Sequence, residues 1–103
     1  MNINSRFRKV CTCRVRTIAG EKFLIPIHDS SIEVENLFRI SESGAYIWEA
    51  IEKSNEIILT DIVKIMEETY DKDREILEHD VIEFVSDLKN INLLEELVND
   101  KSS

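Results

Sequence analysis

Between Cys11 and Thr17 the residues alternate, with Cys11, Cys13 and Val15 on one side and Arg14 and Arg16 on the other. A period of two is the pattern of a strand with one wet face. Ala19, Gly20 and Glu21 read as a turn, and Lys22 to Ile27 is a second β-rich run in which Phe23, Ile25 and Ile27 share a face, so the pair predicts a hairpin. Pro26 lacks a backbone donor, which predicts an unpaired stretch or an end to the second strand, and the polar residues from His28 to Ser31 supply the next turn. Ile32 to Val34 and Leu37 to Ile40 are again β-like, as one bent strand or a small hairpin, and the part ending at Ile40 is assigned as the third strand.

At Ser41 the period changes. Ser41, Glu42, Ser43 and Gly44 offer capping chemistry ahead of Ala45, Ile47, Trp48 and Ile51, which fall on one helical face and predict a first helix to about Ser54. Thr60 with Asp61 behind it predicts the start of a second helix carrying Ile62, Ile65, Met66 and Tyr70, broken at Asp71 and Lys72. Asp73 opens the longest helix, striped by Ile76, Leu77, Val81, Phe84, Val85 and Leu88 and ending at 90–92, after which Leu93 and Leu94 tuck back onto the core.

None of these helices buries its apolar face alone. The expected architecture is α+β and winged-helix-like, a three-stranded antiparallel sheet followed by a three-helix bundle packed on one sheet face. With 103 residues the chain reads as a single domain, its ordered core at about 8–97 and its ends fraying. No internal repeat is visible.

Composition narrows the function. Hydrophobic residues make up 43% of the chain, which argues against disorder, and no apolar run approaches the roughly 18 residues of a membrane span. The first ten residues lack the apolar region of a signal peptide, and two cysteines suit a reducing compartment, so the expected location is the cytoplasm. The net charge of −8 is uneven: residues 1–39 carry seven basic and four acidic groups, whereas 40–103 carry six basic and 17 acidic ones.

Catalytic patterns are missing. There is no Gly-rich phosphate loop, no metalloprotease His pair and no nucleophile elbow, and the imidazoles are His28 and His79 alone. His79 and Asp80 are adjacent on a helix and point about 100° apart, which does not make a base and its orienter. Cys11 and Cys13 share a strand face, yet two thiols without a second Cys or His pair leave a soft-metal site incomplete. The carboxylates from Glu67 to Glu83 lack the ligand spacing and central Gly of a calcium loop and read as a solvated helix face. The expectation is a binding module, with neither catalysis nor a cofactor.

The stretch FLIPIHDSSIEVENLFRISESGAYIWEAIEK, followed by TDIVKIMEETYD and DREILEHDVIEFVSDLKNINLLEE, resembles the PqqD family of peptide chaperones, also called precursor-peptide recognition elements, over about residues 22–96. The residues that carry the resemblance are Ile40-Ser41, Ser43-Gly44-Ala45, Ile47-Trp48, Tyr70-Asp71 and Asp80-Val81. One departure is Ser41, where the family pattern has Asn after the third strand; Ser caps a helix about as well.

The resemblance implies a three-stranded sheet packed on three helices that binds the leader segment of a ribosomally made precursor peptide. It also implies delivery of that peptide to a modifying enzyme, often of the radical SAM class. The mechanism it suggests is addition of the leader to the free edge of the third strand, with alternate side chains entering a groove between that strand and the last helix. On this sequence the edge is Val34, Glu35, Leu37, Phe38, Arg39 and Ile40, and the groove wall is Val81, Phe84, Val85 and Leu88. Arg39 would meet an acidic leader side chain or pair with Glu35. Two alternatives stand beside this reading, a winged-helix DNA-binding regulator and a structural subunit that has lost peptide binding. Against the first, 73–89 carries six acidic and two basic groups, so nucleic acid is not an expected partner. No membrane partner is expected either. An exposed strand edge also permits a homodimer that would compete with the peptide.

Overall fold

The computed structural model describes residues 3–28, 31–32, 37–54 and 56–97. In chain order these form β1 (Arg6–Lys9), β2 (Thr12–Ile18), β3 (Glu21–His28), β4 (Ser31–Ile32), β5 (Phe38–Ile40), α1 (Glu42–Glu52), β6 (Ile57–Ile58), α2 (Leu59–Thr69), α3 (Arg74–Asn90) and β7 (Leu94–Leu97). The α+β class, the antiparallel pairing and the three helices are those expected from the sequence.

The β2–β3 hairpin closes through Ala19 and Gly20, with φ of 53° and 83°. Two successive residues at positive φ make the tight turn whose twist matches that of the strands it joins. The resulting register places Ile18 opposite Glu21, and therefore Val15 opposite Leu24 and Cys13 opposite Pro26. Leu24 and Cys13 are buried there and belong to the main core. The register also places the face that Phe23 and Ile25 share. Phe23 lies opposite Arg16 and Ile25 opposite Arg14, so that apolar row shares its side with the arginines, while Lys22, Leu24 and Pro26 turn inward. Beyond Cys13 every residue of β2 is exposed.

β3 runs through Pro26 to His28. Its other edge pairs with β5 up to Leu24 and with β4 from Ile27, leaving Ile25 and Pro26 without a described partner on that side. The strand does not end at the proline, which pairs with Cys13 on its other side.

A second sheet, in the order β6-β1-β7, departs from the expectation of a fraying amino end. Phe7 is fully buried between Ile57 on β6 and Glu96 on β7, and Arg8 forms an ion pair with Glu95. Leu93 and Leu94 pack onto the core as expected, but the chain continues as a strand that holds β1. Burying Phe7 is the reason residues 6–9 are ordered: ~2–3 kcal/mol from one large apolar side chain offsets the cost of fixing a short segment.

The helices supply the rest of the core. Ile47, Trp48 and Ile51 of α1, Ile62, Val63 and Met66 of α2, and Leu77, Val81, Val85 and Leu88 of α3 are buried in one cluster. α2 begins earlier than its capping chemistry suggested: Thr60 lies inside the helix, and its hydroxyl donates to the Ile3 carbonyl at 2.8 Å. α3 ends as expected, with Asn92 at φ 64°, the left-handed conformation that terminates helices.

Candidate functional site

The expected groove lies between β5, the amino end of α1 and one flank of α3. Ser41 caps α1, its Oγ accepting from the Gly44 amide at 3.0 Å. This fixes α1 directly after β5 and so sets the angle at which the helix leaves the strand. Gly44 then touches α3: a Cβ there would lie 3.0 Å from Phe84 Cε1 and 3.3 Å from Ser41 Oγ. The glycine of the Ser43-Gly44-Ala45 step is thus explained by close approach of an aromatic ring, which lies against the backbone where any side chain would stand.

The cavity so formed has a volume of about 280 Å³. Phe38, Ile40 and Ile47 supply apolar lining next to Phe84, and Asp80, Glu83 and Asp87 line it from α3. Among the described residues β5 pairs with β3 alone, through Lys22–Ile40, Phe23–Arg39 and Leu24–Phe38, so its outer edge carries no strand. An unpaired edge beside a cleft lined by apolar and acidic side chains is the geometry into which an extended peptide can hydrogen-bond.

The residues singled out from the sequence divide. Phe38, Arg39 and Ile40 on β5 and Phe84 on α3 meet at the groove. Leu37 is half-buried and precedes β5. Val34 and Glu35 lie outside the described residues. Val81, Val85 and Leu88 have no exposed surface at all and form the core beneath the groove, not its wall. At about 100° per residue, Phe84 stands roughly 60° from Val81, on the side of the helix shared with Asp80 and Asp87. The wall therefore consists of Phe84 with Asp80, Glu83 and Asp87, of which Asp80 and Glu83 belong to the carboxylate run expected as a solvated face.

Of the partners expected for Arg39, Glu35 lies outside the described residues. Arg39 lies opposite Phe23 on the sheet face away from the helices, and its guanidinium pairs with Glu21 at 2.5 Å. The cation beside β5 is thus already matched from β3.

The remaining candidate groups are His79, Cys11 and Cys13. His79 Nε2 sits 4.0 Å from Glu83 Oε2, one helical turn away, and both side chains are exposed. The Cys11 and Cys13 sulfurs are 3.9 Å apart, and burial, with Cys11 alongside, pushes the Cys13 thiol up to about 12. Among the described residues no three His, Cys, Asp or Glu side chains gather as a metal site. No described helix is long and apolar enough to cross a membrane.

A small α+β domain with one strand edge open beside a helix-walled cleft is the class these features define. Residues 28–94 match the family described as coenzyme PQQ synthesis protein D (PqqD), and the chain belongs to that family. No curated protein matches the sequence. A solved structure described as TbiB1 in complex with the TbiA(beta) leader peptide is similar in fold, with a TM-score of 0.65 and 23% identity. The similarity covers 89% of this chain and 99% of that one.

Proposed function

We propose that this protein binds the leader segment of a ribosomally synthesised precursor peptide by strand addition to β5. It then presents that peptide to a modifying enzyme, of the radical SAM class, without itself carrying out chemistry. The observation that carries this reading is the outer edge of β5, unpaired among the described residues, next to the cleft between Phe38 and Phe84. Membership of the PqqD family supports it, as does the fold shared with a protein solved together with a leader peptide. Backbone hydrogen bonds to the edge give affinity that tolerates sequence, and side chains entering the cleft give selectivity.

The same features weigh against a nucleic-acid role. Both basic residues of α3 are occupied, Arg74 by Glu67 and Glu78 and Lys89 by Glu96, which leaves that helix presenting carboxylates. Phosphate would be repelled there. Two free thiols fit work in the reducing cytoplasm. A second copy pairing through the β5 edge would compete with the peptide.

The test is fluorescence polarisation of a labelled leader peptide from the precursor encoded beside the gene, with a scrambled leader and a DNA duplex as controls. Saturable binding of the true leader, lost on Phe84→Asp in a variant that melts cooperatively and lost when the strand-forming leader amides are N-methylated, is the expected result. No binding at hundreds of micromolar, with or without the partner enzyme, would favour a structural subunit. Salt-sensitive duplex binding would favour the DNA reading.

A further inference from the structure

The charge arrangement around the groove names the chemistry of its occupant. Three carboxylates line it from α3, and at about 100° per residue Asp80, Glu83, Phe84 and Asp87 fall within an arc of roughly 100° on one side of that helix. Among the described residues no Lys or Arg pairs with Asp80, Glu83 or Asp87, and Glu83 has only the 4.0 Å approach of His79. The cations that might have neutralised this wall are engaged elsewhere: Arg39 by Glu21, Lys89 by Glu96, and Arg74 by Glu67 and Glu78. Arg39 also lines the cavity, from β5, but its guanidinium is held by Glu21, so the groove pairs an apolar lining with carboxylates to which no described Lys or Arg is paired.

We infer that the leader segment taken by this groove is basic, with Lys or Arg at the groove-facing positions beside an apolar anchor. This rests on the strand-addition reading above. Side chains two apart on an added strand are about 6.8 Å from one another on the same face. The stripe from Asp80 to Asp87 spans about 10.5 Å along the helix, so two successive groove-facing side chains fall within its length. A Lys or Arg stem can lie against the Phe84 ring while its charged end reaches the carboxylates, a placement suited to long cationic side chains and denied to acidic ones. The apolar lining alone would accept many leaders; the wall rejects acidic ones.

The assay is polarisation of the labelled leader against wild-type protein, the triple variant Asp80→Asn/Glu83→Gln/Asp87→Asn and the single variant Asp87→Asn, at low and high NaCl. Each exposed ion pair is worth a factor of roughly two to five, so the triple variant should weaken binding about tenfold. It should also flatten the salt dependence seen with wild type. Replacing the leader's Lys and Arg by Gln should weaken wild-type binding comparably and leave the triple variant's unchanged. Thermal melts check that the variants fold, and the single variant gives a smaller loss in the same direction should the triple one melt early. Equal or tighter binding by the triple variant, or a bound segment without Lys or Arg, overturns the inference while leaving strand addition intact. Failure of wild type to bind any leader removes the strand-addition reading itself.

Discussion

Gly44→Ala sets two effects against each other whose sizes follow from the structure. Gly44 is inside α1, where Ala is favoured by about 1 kcal/mol on helix propensity alone. The new methyl would stand 3.0 Å from Phe84 Cε1 and 3.3 Å from Cδ1, against ordinary carbon contacts of about 3.5–4.0 Å. The ring must therefore retreat by roughly 0.5–1 Å, and overpacking of this kind costs about 1–3 kcal/mol. The expected sum is a net loss of about 1 kcal/mol, or a fall of about 4–8 °C in Tm for a chain this size. Trp48 is the single tryptophan and 1% exposed, so its fluorescence reports the unfolding transition. Because Phe84 is half-buried on the groove side, its retreat is into the cleft, and leader binding should weaken more than stability does. A double-mutant cycle isolates the contact: in a Phe84→Ala background, Gly44→Ala should become stabilising by about 0.5–1 kcal/mol. An equal effect of Gly44→Ala with and without the ring would refute the close-approach explanation.

Three further outcomes follow from other parts of the fold. Phe7→Ala should cost about 3–5 kcal/mol in denaturant titrations, because a fully buried ring is lost between two partner strands; a loss below 1 kcal/mol would mean the second sheet adds little. Ala19→Asn should raise Tm by a few degrees, since Ala19 occupies a left-handed conformation that costs an ordinary L-residue about 1–2 kcal/mol and that Asn tolerates better. Cys13, raised to about 12 chiefly by burial, should resist iodoacetamide at pH 8 in the folded protein and react once denatured. The sign for stability follows: folding favours the protonated thiol, so the contribution is complete below the unfolded pKa near 9 and is lost as pH rises toward 12. Urea midpoints that did not fall over that window would contradict it.

Long periodic elements were legible in the sequence and short ones were not. The β2–β3 hairpin and the three helices each carry several apolar repeats, enough to define a period. β1, β6 and β7 hold two to four residues, and a stretch such as Arg6–Lys9 with one apolar side chain has no period to read. Their existence follows from tertiary pairing, which only the folded chain supplies. At the groove, β5 was placed correctly because Phe38 and Ile40 alternate with Arg39. Three of the four α3 residues expected to form the wall were misplaced, because an apolar stripe marks what a helix buries. Val81, Val85 and Leu88 lie at the centre of that stripe and vanish into the core, while its margin, Phe84 with Asp80 and Asp87, faces the cleft. The spacing of those carboxylates was visible, but their common orientation became meaningful only once β5 stood opposite them. Likewise Arg39 could be seen as a cation, though its partner Glu21 depends on the register of β5 on β3.

The pairing of β1 with β7 puts Arg6 directly across from Leu97, so the described domain enters and leaves through adjacent antiparallel strands, with Cα atoms about 5 Å apart. A unit whose entrance and exit coincide can be spliced into a surface loop of another protein without prying that loop open. It can equally be reconnected end to end and cut elsewhere, as circular permutation requires. The hairpin turn at Ala19 and Gly20, both exposed, is the natural place for the new opening.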